Sequence, residues 1–439
     1  MIEIRRPDSE LARILVPVTP RPGITYIPSQ FALSFEHKGK NYVFHTLTKQ
    51  CVESRVPSSA AAGQGYDELI AGQFLVPSDK DECAYYNQIS ALLRAYYRKK
   101  GISTYTIMPT LGCNARCVYC YEEGMKPVSM TPETVEQVIR FILDTHKGES
   151  VKLVWFGGEP LLGVKAIDRI CQGLGEAGLA YKSSMASNGS LITGEIVEKM
   201  TGDWKMDHVQ ISMDGAEQDY ISRKQYFAYS DYYHRAMEAV SAMSEAGISV
   251  AVRCNVDDKN WEGVPRFLAD LKAGVANKDR VSLYFSPLYG MRRGENSLAQ
   301  WEKIRAARPL IEEAGFKDLT FAGTHLRFHV NHCMADGGGL VIGPDGSLYL
   351  CEHCPEGSRF GDIWQGTTDE AAGKEFCRTD RIREKCRTCP FLPDCTGFAS
   401  CPVQDIHCRQ MRERMAEDTL KRLVEEAEKG DAEREAPEC

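Results

Sequence analysis

The chain has 439 residues, 43% hydrophobic and 26% charged, the make-up of a globular protein of two or three domains. Its formal net charge of −8 argues against nucleic acid as a partner, because phosphate contact needs a basic surface. Met1 to Glu10 are charged and polar, unlike a signal peptide, and no apolar run reaches the ~18 residues of a membrane span, so a cytoplasmic protein with no membrane contact is expected.

Residues 1–100 read as a small α+β unit. Phe31, Leu33 and Phe35 alternate with polar residues as a half-buried strand does. His37-Lys38-Gly39-Lys40 makes a turn, and Tyr42 and Phe44 resume the alternation, so a hairpin is predicted. Ser54 to Gly65 is a Ser/Ala/Gly-rich loop and Tyr66 to Gly72 a short helix. From Asp79 onward, Tyr86, Ile89, Leu92, Leu93 and Tyr96 keep helical spacing. The basic run Arg98-Lys99-Lys100 reads as the solvated end of that helix.

From 101 to 325 strands and helices alternate. Strands are predicted at 104–110, 151–156, 181–187, 209–213, 248–256 and 281–287, each followed by a helical segment. The first such helix begins at Thr131, a capping residue, with Pro132 at the first helical position. Six βα units imply a parallel sheet with helices outside, either a partial barrel or an open doubly wound sheet. Residues 326–410 are rich in Cys, Gly, Pro and Asp, with little periodicity, a composition that needs metal to hold it. Residues 411–432 read as an amphipathic helix that frays into a tail to 439.

Cysteine stands out: there are 17, ten of them between Cys333 and Cys439. Disulfides belong to secreted chains, which leaves metal. Cys113, Cys117 and Cys120 have the spacing C-x3-C-x2-C in the loop after the first strand of the alternating zone. Three thiolates on one loop suit three irons of a cubane and leave the fourth open, whereas structural zinc wants four protein ligands.

This loop resembles the signature of the radical S-adenosylmethionine (SAM) superfamily, and the resemblance spans about residues 104–290. Trp155-Phe156-Gly157-Gly158-Glu159-Pro160, at the end of the second strand, is similar to the family's GGE motif, which implies that Gly157, Gly158 and Glu159 lie where the SAM ammonium binds. Ser187 and Asn188 end the third strand and resemble the segment near the SAM ribose and carboxylate. Ser212-Met213-Asp214-Gly215 ends the fourth and is similar to a segment of peptide-modifying members. Tyr119 and Asp214 join the implied cofactor set. Arg223 and Arg253 are candidates for the SAM carboxylate, with surface or structural salt bridges as the alternative. The resemblance implies a partial (β/α)6 TIM barrel. It also implies that one electron from the reduced 4Fe–4S cluster cleaves SAM to a 5′-deoxyadenosyl radical, which abstracts hydrogen from a C–H bond. A flavodoxin or ferredoxin is the implied electron donor.

The late cysteines resemble the SPASM domain of radical SAM enzymes that modify peptides and proteins. The resemblance implies an outer cluster on Cys386, Cys389, Cys395 and Cys408. An inner cluster would use Cys333, Cys351 and Cys401, with Cys354 or an open iron completing it, for three 4Fe–4S clusters in all. Five residues separate Cys395 and Cys401 where the family commonly has three. One auxiliary cluster plus zinc is the alternative. Cys171, Cys254 and Cys377 read as core or surface thiols and Cys439 as a solvated one.

The hairpin and helices of residues 1–100 resemble in layout the winged-helix domain that binds a leader peptide by strand addition. A generic capping domain is the alternative, and Phe74-Leu75-Val76-Pro77 reads as an apolar connector between helices. Together these features imply a maturase acting on a leader-bearing ribosomal precursor peptide. It would install a thioether or carbon–carbon crosslink, with an auxiliary cluster accepting the second electron. Tyr121, Glu122, Glu123 and Asp214 are candidate bases. The rivals are a sulfatase-maturating enzyme, a multi-cluster electron-transfer protein and a structural zinc protein.

Overall fold

The computed structural model describes residues 14–15, 17–120, 122–228, 231–288, 297–319, 338–353, 358–376, 384–394, 416–425 and 427–428. The chain divides into two compact units: 1–99 with 321–336 and 377–439, and 100–320 with 337–376.

The first unit holds strands β1 (Thr25–Pro28), β2 (Ala32–His37), β3 (Lys40–His45), β4 (Cys51–Glu53), β5 (Ala60–Ala61) and β6 (Leu75–Pro77). Helices follow β5 at Asp67–Ala71 and β6 at Glu82–Lys100. The predicted hairpin is β2–β3, in register from Ala32↔His45 to His37↔Lys40. Its two-residue turn needs positive φ at both positions, and Lys38 (49°) and Gly39 (75°) supply it. Phe74 to Pro77, expected as a connector, instead contains β6, which pairs antiparallel with β1 through Ile27↔Val76. Three residues are too few to display a period, and their partner lies far back in the chain.

The alternation in β2 and β3 buries Phe35, Tyr42 and Phe44 with Cys51, and these pack against Phe391, Ala416, Leu420, Leu423 and Val424. A second cluster joins Phe31, Leu47 and helix residues Cys83, Tyr86, Ile89 and Leu93 to Leu392. Thr46 Oγ1 donates to the Pro390 carbonyl at 2.5 Å. Within this unit the late segments 384–394 and 416–425 therefore complete the core of the N-terminal sheet.

The second unit contains β7 (Thr104–Ile107), β8 (Ser150–Trp155), β9 (Ala180–Ser187), β10 (Met206–Ser212), β11 (Ser249–Val256), β12 (Val281–Pro287) and β13 (Lys317–Asp318). After them come β14 (Gly339–Ile342), β15 (Ser347–Tyr349), β16 (Arg359–Asp362) and β17 (Gly366–Thr367). Helices Pro132–Thr145, Val164–Glu176, Gly194–Thr201, Glu217–Lys224, Tyr232–Glu245, Val264–Gly274 and Ser297–Glu313 fall between the strands. As predicted, Thr131 caps its helix, accepting from Thr134 N at 3.1 Å.

The sheet order is β13-β12-β11-β10-β9-β8-β7-β14-β15-β16-β17. From β7 to β13 spatial order follows chain order without the reversal that defines a doubly wound sheet. This α/β arrangement fits a partial barrel rather than the open alternative. β14 runs parallel beside β7 (Gly339↔Thr104), and β15 to β17 continue the sheet antiparallel. In a parallel sheet the strand ends that follow the direction of the chain gather on one side, where sites form.

Candidate functional site

The loop from Ile107 to Cys120 leaves the end of β7 and is fastened to three neighbouring strand ends. At the end of β8, Gly158 N donates to Thr110 O (3.2 Å) and Glu159 N to Gly112 O (2.8 Å). The two glycines are required by this close approach. A Cβ on Gly157, whose φ is +111°, would sit 2.4 Å from Thr110 O, and one on Gly158 would sit 2.3 Å from Gly112 O. At the end of β9, Asn188 Nδ2 donates to Asn114 Oδ1 (2.8 Å) and Asn114 Nδ2 to Ser190 Oγ (2.9 Å). Beyond β10, residues 223–227 line the loop like a short antiparallel strand. Val118 N donates to Arg223 O and Arg116 N to Gln225 O, both at 3.0 Å, and Phe227 N to Asn114 O at 3.1 Å.

Glu159 is wholly buried. Its carboxylate accepts from Ser187 Oγ (2.9 Å), Asn188 N (2.9 Å) and Leu161 N (3.2 Å). Burial raises its pKa, against these hydrogen bonds. The carboxylate thus joins the end of β8 to the end of β9, and its oxygens are engaged by the chain itself.

Tyr119, between Cys117 and Cys120, points its hydroxyl at Asp214, to which it donates. Asn255 Nδ2 reaches Asp214 Oδ1 (2.8 Å) and the Tyr119 hydroxyl (3.2 Å). Asn260 Nδ2 donates to the Asp214 carbonyl at 2.7 Å. Lys224, buried like Asp214, donates to Tyr119 OH (3.0 Å) and Ser212 Oγ (2.7 Å) and lies 3.6 Å from Asp214 Oδ2. Burial opposes the ammonium, but the charge of Asp214 and the hydrogen bond to Tyr119 outweigh it and hold its pKa well above the usual lysine range.

Of the two arginines, Arg223 gives both bonds of its Nη1 to Asp257 at 3.0 Å. Its Nε and Nη2 are buried without a hydrogen-bond partner, and its guanidinium carbon lies 5.7 Å from the centre of the Tyr119 ring. That free edge has the fork shape that grips a carboxylate. Arg253 is engaged through Nε to Asn255 Oδ1 (3.0 Å) and Nη2 to Ser286 Oγ (3.1 Å).

Cys113, Cys117 and Cys120 are half-buried, and burial raises all three thiols, Cys113 to about 11. A thiolate is the ligand form, so metal loading there must displace protons. Three soft donors carried on one fastened loop fit a 4Fe–4S cluster with one iron left for another ligand.

Glu122 is half-buried and Glu123 exposed, while Tyr121 lies outside the described residues. Cys351 is half-buried just past β15 in the second unit. Cys386 and Cys389 are half-buried in the first, in a turn closed by Cys389 N to Cys386 O at 3.1 Å. Cys333, Cys354, Cys395, Cys401 and Cys408 lie outside the described residues. Cys171 and Cys254 are buried thiols.

Sequence reasoning missed Lys224, Asn255, Asn260, Asn114 and Asp257. Asn255 was within reach of it, two residues along β11 from Arg253 and so on the same face. Lys224 carries no motif.

Residues 107–271 match the profile of the Radical SAM superfamily. This segment is a radical SAM domain, of a class whose cofactors are SAM and a 4Fe–4S cluster, and the chain that carries it is an enzyme. Among curated proteins the chain is 27% identical over 334 residues to a serine-type anaerobic sulfatase-maturating enzyme of Klebsiella aerogenes, covering 66% of this chain and 77% of that one. It is 26% identical over 318 residues to an AdoMet-dependent heme synthase of Methanosarcina barkeri, covering 66% and 88%. Among solved structures, anSMEcpe with bound AdoMet superposes with a TM-score of 0.60 at 18% identity, covering 74% of this chain and 99% of that one. Streptococcus suis SuiB bound to S-adenosylmethionine does so with a TM-score of 0.53 at 12% identity, covering 88% and 98%. SuiB has also been solved with its precursor peptide SuiA. The fold is thus shared with proteins solved with AdoMet bound and, for SuiB, with a precursor peptide bound. No helix among the described residues is long and apolar enough to cross a membrane.

Proposed function

We propose that this enzyme modifies a ribosomally made, leader-bearing peptide, with its cluster on Cys113, Cys117 and Cys120. When bound and reduced, the cluster and SAM supply a 5′-deoxyadenosyl radical that takes a hydrogen atom from the peptide. The free edge of Arg223 takes the methionine carboxylate of SAM, Tyr119 and Asp214 line the nucleoside side, and the backbone of Gly157 and Gly158 takes the ammonium. The product is a thioether or carbon–carbon crosslink, two hydrogens lighter than the substrate. Cys333, Cys351, Cys386, Cys389, Cys395, Cys401 and Cys408 hold two auxiliary clusters, with Cys354 or an open iron completing the inner one.

The observation that carries this reading is the extent of the likeness to SuiB, 88% of this chain, which reaches beyond the radical SAM domain. The N-terminal unit supports it. β6 is an edge strand, and a cavity of about 380 Å³ beside it is lined by Val18, Arg21, Gln73, Leu75, Val76 and Lys80. An extended leader would add there as a strand, held by main-chain hydrogen bonds and by a pocket for its side chains.

A second reading, a sulfatase-maturating type of protein-modifying enzyme, is favoured by the 27% identity to the Klebsiella enzyme. The two separate in one anaerobic assay with SAM, a flavodoxin and its reductant. The substrates are a leader-bearing precursor peptide, the same peptide without its leader, and a sulfatase peptide bearing serine or cysteine. We expect mass spectrometry to show crosslinking of the full precursor alone. Equal turnover of the leaderless peptide, or turnover of the sulfatase peptide only, refutes leader-dependent maturation.

A further inference from the structure

Lys224 closes the helix Glu217–Lys224 with its side chain 2% exposed, beside a carboxylate, Asp214, that is wholly buried. A buried cation persists only where its donors are filled and its charge is paired. Here the donors reach different parts of the site. Ser212 closes β10, and Asp214 follows it. Tyr119 belongs to the cysteine loop, and Asn255 of β11 bonds both Tyr119 and Asp214. The main chain of Lys224 holds the same loop, because its carbonyl accepts from Arg116 N at 3.0 Å. One residue thus ties the arm carrying Cys117 to the sheet through backbone and side chain together.

We propose that Lys224 is a positioning residue for the cofactor loop: its ammonium fixes Tyr119, and its charge cancels that of Asp214, which is hydrogen-bonded to Tyr119 two residues past Cys117. This rests on the cluster assignment above. Cluster potentials follow the net charge and the hydrogen bonds around the sulfurs. An uncancelled carboxylate opposes an added electron, so loss of the lysine drives the potential down. Removing both charges restores the potential but leaves Tyr119 without its donor.

The test uses the reconstituted enzyme under anaerobic conditions: wild type, K224M, K224R and K224M/D214N. Iron content, the dissociation constant for SAM, and the midpoint potential and EPR spectrum of the cluster are measured for each. In K224M the potential falls and SAM binds about tenfold more weakly, the loss of one charged hydrogen-bond donor. K224R, which keeps the charge, lies nearer wild type in potential. K224M/D214N regains the potential without regaining SAM affinity. If K224M does not load iron, the double variant carries the test, since it strands no buried charge. An unchanged potential in K224M removes the charge role, and unchanged SAM affinity in both K224M and the double variant removes the positioning role. Wild-type protein that loads no iron at Cys113, Cys117 and Cys120 refutes the cluster assignment, and this inference with it.

Discussion

Replacing Glu159 separates two roles for the third residue of the Gly-Gly-Glu segment. The resemblance places it where the SAM ammonium binds, yet its carboxylate is wholly buried and accepts from Ser187, Asn188 and Leu161. In E159Q the amide oxygen keeps the Ser187 and Leu161 donors, and the amide nitrogen then faces Asn188 N–H. One buried donor left without an acceptor costs about 1–3 kcal/mol. Glutamine also escapes the desolvation that raises the carboxyl pKa, so the net loss falls at the low end of that range. In E159A two backbone N–H groups are stranded, for about 2–6 kcal/mol. At roughly 3 °C per kcal/mol for a domain of this size, melting falls by about 3–6 °C in E159Q and about 12 °C in E159A. The assay is thermal unfolding of metal-free protein under anaerobic conditions, with no SAM present. Melting of both variants with wild type, accompanied by loss of SAM affinity alone, would show that the carboxylate touches SAM and refute its role as a joint between strands.

G158A places a methyl 2.3 Å from the Gly112 carbonyl and displaces the cysteine loop, so iron content at that site and 5′-deoxyadenosine formation both collapse. G175A, at a helical position with open space around it, leaves iron assay and chromatography at wild-type values. R223K keeps the charge but not the fork, and SAM affinity in equilibrium dialysis falls about tenfold or more, whereas unchanged affinity removes the carboxylate contact. His45 is neutral in the core of the first unit. Its Nδ1 accepts from Thr48 N, so Nε2 carries the proton toward Ser29, and burial together with Lys80 and Lys49 pulls its pKa down to about 3. A depressed histidine contributes stability above pH 6.5 that is lost as pH falls toward 3, about 2 kcal/mol by pH 5. Glu82, raised by burial, acts with the opposite sign as it protonates above the usual carboxylate range. Hydrogen exchange over 25–53 therefore quickens at pH 5 relative to intrinsic rates, and does so less in H45Q.

The hairpin and the six βα units were legible because each strand buries one face or is flanked by a periodic helix. The three-cysteine loop was legible because its spacing is local. β14 was not: its four residues, Gly339–Ile342, are all buried, so they show no alternation, and their partner β7 lies more than two hundred residues back. β6 was hidden because its three residues are too few to show a period and its partner β1 lies some fifty residues back. The packing of Leu420 and Val424 against Phe35 and Phe44 joins the two ends of the chain, and no local pattern announces that. Tyr119 and Asp214 were legible, but the Lys224 and Asn255 that bind them were not, because Asp214, Lys224 and Asn255 come from three parts of the chain that only the fold brings together.

The most direct test is iron, sulfide and 5′-deoxyadenosine measured after anaerobic reconstitution, in wild type and in the C113A/C117A/C120A variant. The account predicts that the variant loses about four irons, one cubane, and all SAM cleavage, while the remaining iron stays on the auxiliary sites. A variant that keeps the wild-type iron content, or still cleaves SAM, would contradict it.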